Sequence, residues 1–121
     1  MSIDRTTHLS AVPTVDALTA SEAAVADTVA VYSRPGIDGT PTVVIEITDM
    51  RRNLMARSVI DTDAEREVAA DFVLVDSLVE RCGSWRIDPI HKHKRLVAMV
   101  TIRSSDELPE YAKQRSNALS A

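Results

Sequence analysis

Thr62-Asp63-Ala64-Glu65-Arg66-Glu67-Val68-Ala69-Ala70-Asp71-Phe72-Val73-Leu74-Val75-Asp76-Ser77-Leu78-Val79-Glu80-Arg81-Cys82-Gly83 sets the architecture expected of this chain. Val68, Phe72, Val75, Val79 and Cys82 recur at helical steps, so the spacing predicts an amphipathic helix over 63–82 with those residues on its buried face. Thr62 and Glu65 have capping-box spacing, which satisfies free N–H groups at a helix start. Gly83 suits the left-handed conformation that stops a helix. Beyond it, Ser84-Trp85-Arg86-Ile87 alternates as a short strand, with Trp85 packing under the helix. Lys94 to Ile102 reads as a longer, more apolar strand.

Working outward, Thr42 to Thr48 is a strand with Val43, Ile45 and Ile47 on one face. Val44 shares the other, wetter face with Glu46 and Thr48. Thr19 and Glu22 form a second capping-box pattern. It opens a helix expected to run to about Tyr32, with Leu18, Val25, Val29 and Tyr32 along one stripe. Arg34 to Pro41 is rich in turn formers. Met50 to Asp61 lacks a clean period, with at most one short strand at Ala56 to Ile60. The pattern divides the chain into a flexible arm or edge strand at 1–14, one domain at 15–104, and a polar tail at 105–121 that could form a short helix. The expected fold is an α+β two-layer sandwich: one mixed, mainly antiparallel sheet with helices on one face.

A length of 121 residues supports a single core. One Phe, one Trp and two Tyr leave that core to aliphatic side chains. A net charge of −4 disfavours general nucleic-acid binding. The lone Cys82 excludes an internal disulfide and is placed on the buried helix face, inert. No apolar run approaches the ~20 residues of a membrane-spanning helix. A soluble, cytoplasmic protein is the expectation.

Phe72 to Gly83 followed by Lys94 to Val100, with Val43-Val44-Ile45-Glu46-Ile47-Thr48-Asp49 upstream, resembles the C-terminal half of the histidine-kinase-like (GHKL, Bergerat-fold) ATPase domain. The nearest branch is that of actinobacterial anti-sigma-factor serine kinases. The resemblance covers about residues 42–102 and implies a shortened, degenerate member. It makes Asp49 the adenine-reading aspartate. The family's phosphate-binding glycines, however, correspond here to Ala69, Ala70 and Asp71, and a carboxylate there repels a nucleotide. The Mg²⁺-holding Asn of an earlier helix has no match, since the chain contains only Asn53 and Asn117. A glycine expected soon after the adenine-reading Asp is replaced by Met50-Arg51-Arg52. The resemblance thus implies a non-catalytic regulatory domain with no cofactor. Its partner would be a sigma factor or an anti-anti-sigma-like regulator. The alternatives are an ATP- and Mg²⁺-dependent serine/threonine kinase of the same family, and an unrelated small α+β binding protein forming a homodimer.

Outside that resemblance, two basic clusters are candidate protein-binding residues: Arg51, Arg52 and Arg57 in the loop, and His91, Lys92, His93 and Lys94 before the last strand. Arginine forks suit carboxylates and phosphates. Together the two clusters are the expected contact surface. The plainer readings are an Asp49 that caps a turn and basic clusters that are only solvated.

Overall fold

The computed structural model describes residues 12–103. Helix α1 is Ala20–Val25 and helix α2 is Arg66–Val75. The strands are β1 (Ala26–Pro35), β2 (Pro41–Asp49), β3 (Leu54–Asp61), β4 (Val79–Arg81), β5 (Arg86–Asp88) and β6 (Lys92–Ile102). A 3-10 turn at Val15–Ala17 precedes them. All six strands join one sheet in the order β3-β2-β1-β6-β4, with β5 also on β6. Every pairing is antiparallel. Val97 of β6 pairs with Ala30 of β1 and with Arg86 of β5, so β6 is flanked on both sides. β4 and β5 follow one another along its outer side, separated by Cys82 to Trp85. The fold is the expected α+β two-layer sandwich. The tail expected at 105–121 lies outside the described residues.

The core lies between the sheet and α2. Val29 and Val31, Val43, Ile45 and Ile47, Ala56, and Ala98 and Val100 all face it. Ala69, Ala70 and Leu74 of α2 meet them, with Val15 and Leu18 from the N-terminal turn. Each fully buried Val, Leu or Ile side chain among them contributes about 1.5–3 kcal/mol of transfer free energy. The alternation expected in β2 is present, but the opposite face is drier than expected: Ala30, Val44, Glu46 and Val97 are buried there too. Long polar side chains lie across it. Tyr32 donates to Glu46 at 3.4 Å, and Arg57 grips the same carboxylate at 2.7 Å.

Three expectations are corrected. First, α1 ends at Val25, and the alanine-containing run after it is a ten-residue strand. Thr28, Val29, Val31 and Tyr32 are strand formers, and pairing with β2 and β6 outweighs the helical preference of alanine. The capping box that starts α1 does form: Glu22 N–H donates to Thr19 Oγ1 at 3.2 Å, and Thr19 N–H to Glu22 Oε1 at 2.9 Å.

Second, the long helix is short and turned over. It begins after Glu65, whose side chain makes no cap, while Thr62 Oγ1 accepts from Ala64 N–H instead. It ends at Val75, and Val79 to Arg81 is strand β4. Val68, Phe72 and Val75 point outward, whereas Ala69, Ala70 and Leu74 point in. Cys82 is exposed, not on a buried helix face.

Third, the irregular segment holds a full strand, β3, pairing with β2 from Thr42–Asp61 to Thr48–Leu54. Its register shift next to Ile47 explains why no clean alternation is visible in the residues.

Candidate interaction surfaces

Asp49 ends β2 and organises the β2–β3 turn. Its Oδ1 accepts from Arg51 N–H and Asn53 N–H, both at 2.9 Å, and its Oδ2 accepts from Asn53 Nδ2 at 3.1 Å. Its backbone pairs with Asn53 and Arg52 as well. Both carboxylate oxygens are thus engaged within the turn. The hydrogen bonds, chiefly from the Asn53 backbone, hold the carboxyl below the usual carboxylate range. A group whose folded pKa is depressed adds stability above its unfolded value, and that contribution fades as pH falls through the folded one. Wild-type protein is therefore expected to lose denaturant resistance on acidification below about pH 4, and Asp49→Ala to lose less over the same interval. Urea midpoints measured at pH 7 and pH 3 decide this; identical losses in the two proteins would refute the role given to Asp49.

Arg51 and Arg52 project from that turn and are exposed. Arg52 occupies the left-handed region at φ 66°. Arg57 stands apart from them, within β3 and opposite Glu46. Its Nε and Nη2 bind Glu46 Oε2 at 2.9 and 2.7 Å. Arg95 approaches the other oxygen at 3.8 Å and stacks 4.8 Å over the Tyr32 ring. Arg57 is thus engaged in a lattice that crosses β3, β2, β1 and β6.

The second basic cluster lies at the opposite end of the sheet. Asp49 pairs with Ala26, at the start of β1, and Pro41 with Pro35, at its end. β6 runs antiparallel to β1, so its first residues lie beside the end of β1. The β2–β3 turn and the β5–β6 hairpin are consequently separated by about 25 Å of strand. They do not form one surface. In the hairpin, Asp88 Oδ1 accepts from Ile90 N–H at 2.7 Å, and its Oδ2 meets His91 Nδ1 at 3.0 Å. Burial works against the charged form of Asp88, but these hydrogen bonds outweigh it and lower its pKa. Lys92 takes a left-handed conformation at φ 55°, and Lys94 is exposed. Lys92 begins the ladder of β6, opposite Asp88, and His93 follows it in the strand.

The hairpin forms one wall of a cleft of about 380 Å³. Tyr32 and Ser33 of β1, Arg66 of α2, and His91, Lys94 and Arg95 line it. Arg66 comes from more than twenty residues upstream, and no local pattern in the sequence links it to the hairpin. The sequence pointed to the hairpin through its charge density alone.

A second surface is the outward face of α2. Val68, Phe72 and Val75 are 61, 73 and 59 % exposed. Residues 68, 72 and 75 fall on one side of a helix, opposite the buried row Ala70–Leu74. Glu67, Asp71 and Asp76 flank this stripe, and Asp71 is held by Arg81 through two bonds of 3.0 and 3.1 Å. A groove of about 250 Å³ continues from Phe72 and Val73 to Val59 and Ile60 on β3. The sequence contained the stripe, but its apolar character pointed to the core.

No family model, no curated protein and no solved structure matches this chain. No helix among the described residues is long and apolar enough to cross a membrane.

Proposed function

We propose that this domain is a non-catalytic, cytoplasmic protein-interaction module that docks a partner helix on the outward face of α2. The observation that carries this is the exposed Val68, Phe72 and Val75 stripe, which contains the only Phe of the chain. Apolar side chains aligned on a helix and left in water mark a contact site. Glu67 and Asp76 at its margins favour an occupant of opposite charge, whereas Asp71 is already held by Arg81. The occupant is therefore an amphipathic helix of a protein partner, with its apolar row flanked by Lys or Arg. The family resemblance adds the partner class: a sigma factor or an anti-anti-sigma-like regulator. Two features support a role without nucleotide. Asp49 is engaged by its own turn. Ala69 and Ala70, at the positions of the family's phosphate glycines, are packed against the sheet.

Photo-crosslinking from position 75 in the native host tests the docking face, with a crosslinker at exposed Ala24 as control. Adducts are expected on a basic amphipathic helix of another protein, and Phe72→Asp is expected to reduce their yield at least ~10-fold. Adducts to a second copy of this chain, adducts to an acidic segment, or yields equal to the Ala24 control would each overturn the proposal.

A further inference from the structure

We propose that the cleft between α2 and the β5–β6 hairpin binds the phosphate group of a small phosphorylated molecule. The cleft brings together the cationic side chains of Arg66, from the first turn of α2, and of Lys94 and Arg95, from β6, with the His91 imidazole from the hairpin beside them. No carboxylate lines it, although the chain carries a net charge of −4. Like charges gathered in one concavity, with the carboxylates nearest the two arginines no closer than 3.8 Å, are unfavourable in the empty protein, and an anion relieves them.

The nearby carboxylates leave the donors available. Glu67 lies 3.8 Å from Arg66 Nε, beyond hydrogen-bond reach. Glu46 is held more tightly by Arg57, at 2.7 Å, than by Arg95, at 3.8 Å. Asp88 engages His91 and the hairpin backbone. Lys94 has no ion pair among those found for the described residues. Two guanidinium forks, an ammonium and the Ser33 hydroxyl can together meet several oxygens of one group. A phosphate presents those oxygens and carries up to two charges, so it gains more here than a single carboxylate does. The cleft is larger than a phosphate ion and lies within the usual size range of small-molecule sites, which leaves room for an organic remainder beside the Tyr32 ring.

Titration of the full chain with inorganic pyrophosphate at low ionic strength, followed by amide NMR, tests the site. Succinate serves as a dianion without phosphate. Saturable shifts are expected at Tyr32, Ser33, Arg66, Lys94 and Arg95, with affinity for pyrophosphate at least ~10-fold above that for succinate. Lys94→Gln, at an exposed position, is expected to weaken binding severalfold. Arg66→Gln combined with Lys94→Gln is expected to weaken it at least ~10-fold while the remaining resonances stay in place; Arg66→Lys restores part of it. Equal binding of succinate, shifts centred on Arg51 and Arg52, unsaturable shifts, or variants that bind like wild type would each overturn the assignment. None of these readouts involves the outward face of α2, so this proposal and the docking proposal fail separately.

Discussion

Leu74→Ala is expected to lower the unfolding free energy by about 2–5 kcal/mol, while Phe72→Ala, two residues earlier, changes it by less than about 0.5 kcal/mol. Leu74 is 3 % exposed and packs with Ala70, Leu78 and the sheet, so its removal leaves a cavity. Phe72 stands mostly in water, and its truncation opens none. The ranking is the reverse of the usual one, in which deleting a core aromatic costs at least as much as deleting a leucine. Guanidinium melts of the two variants read it directly. A Phe72→Ala loss as large as that of Leu74→Ala would mean that α2 presents its other face to the sheet, and the docking proposal would fail with it. A second readout separates the faces by function: Phe72→Ala is expected to impair partner capture in a fully folded protein.

Ser77→Ala is expected to cost about 1–3 kcal/mol, a large effect for the loss of one oxygen atom. Ser77 is fully buried where α2 gives way to β4. Its Oγ accepts from Val79 N–H at 3.2 Å and lies 2.8 and 2.9 Å from the carbonyls of Leu74 and Val79, either of which can take its proton. Arg103 closes the same junction, donating from Nη2 to the Leu74 and Val79 carbonyls at 3.0 Å each. Alanine at 77 leaves the Val79 N–H buried without that partner, and water has no easy access to replace it. Thermal unfolding together with hydrogen exchange at Val79 checks this: the amide is expected to exchange faster in the variant. Unchanged stability and unchanged protection would show that Arg103 alone holds the junction.

The same junction explains why part of the fold was legible in the residues and part was not. From Asp63 to Cys82 every local signal favoured continued helix, and neither a glycine nor a proline interrupts the run before Gly83. What stops the helix at Val75 is the pairing of Val79 to Arg81 with Val100 to Ile102, a contact between segments some twenty residues apart. A residue-by-residue pattern carries no information about it. The orientation of α2 was hidden for a related reason. Both of its faces contain apolar residues, and the bulkier row looked like the core. The sheet instead accepts Ala69 and Ala70, whose small side chains let the helix backbone lie close to β1 and β2.

The candidate surfaces divide in the same way. The charge density of the β5–β6 hairpin is local and was visible in His91 to Arg95. The addition of Arg66 to that cluster, and the roughly 25 Å between the hairpin and Arg51–Arg52, follow from strand order and register. Asp49 could be read either as a ligand contact or as a turn residue, because an aspartate at a strand end suits both roles. Three hydrogen bonds from Arg51 and Asn53 now occupy it.

By itself the sequence determined the α+β class, the alternation of β2, the capping box that opens α1 and the apolar run of β6, because each depends on neighbours within a few positions. Only the tertiary structure decided where α2 stops, which way it faces, that β3 is a full strand from Leu54 to Asp61, and that β4 is a strand. Those outcomes depend on long-range pairing and on the fit of small side chains against a sheet, and such energies belong to no single segment of the chain.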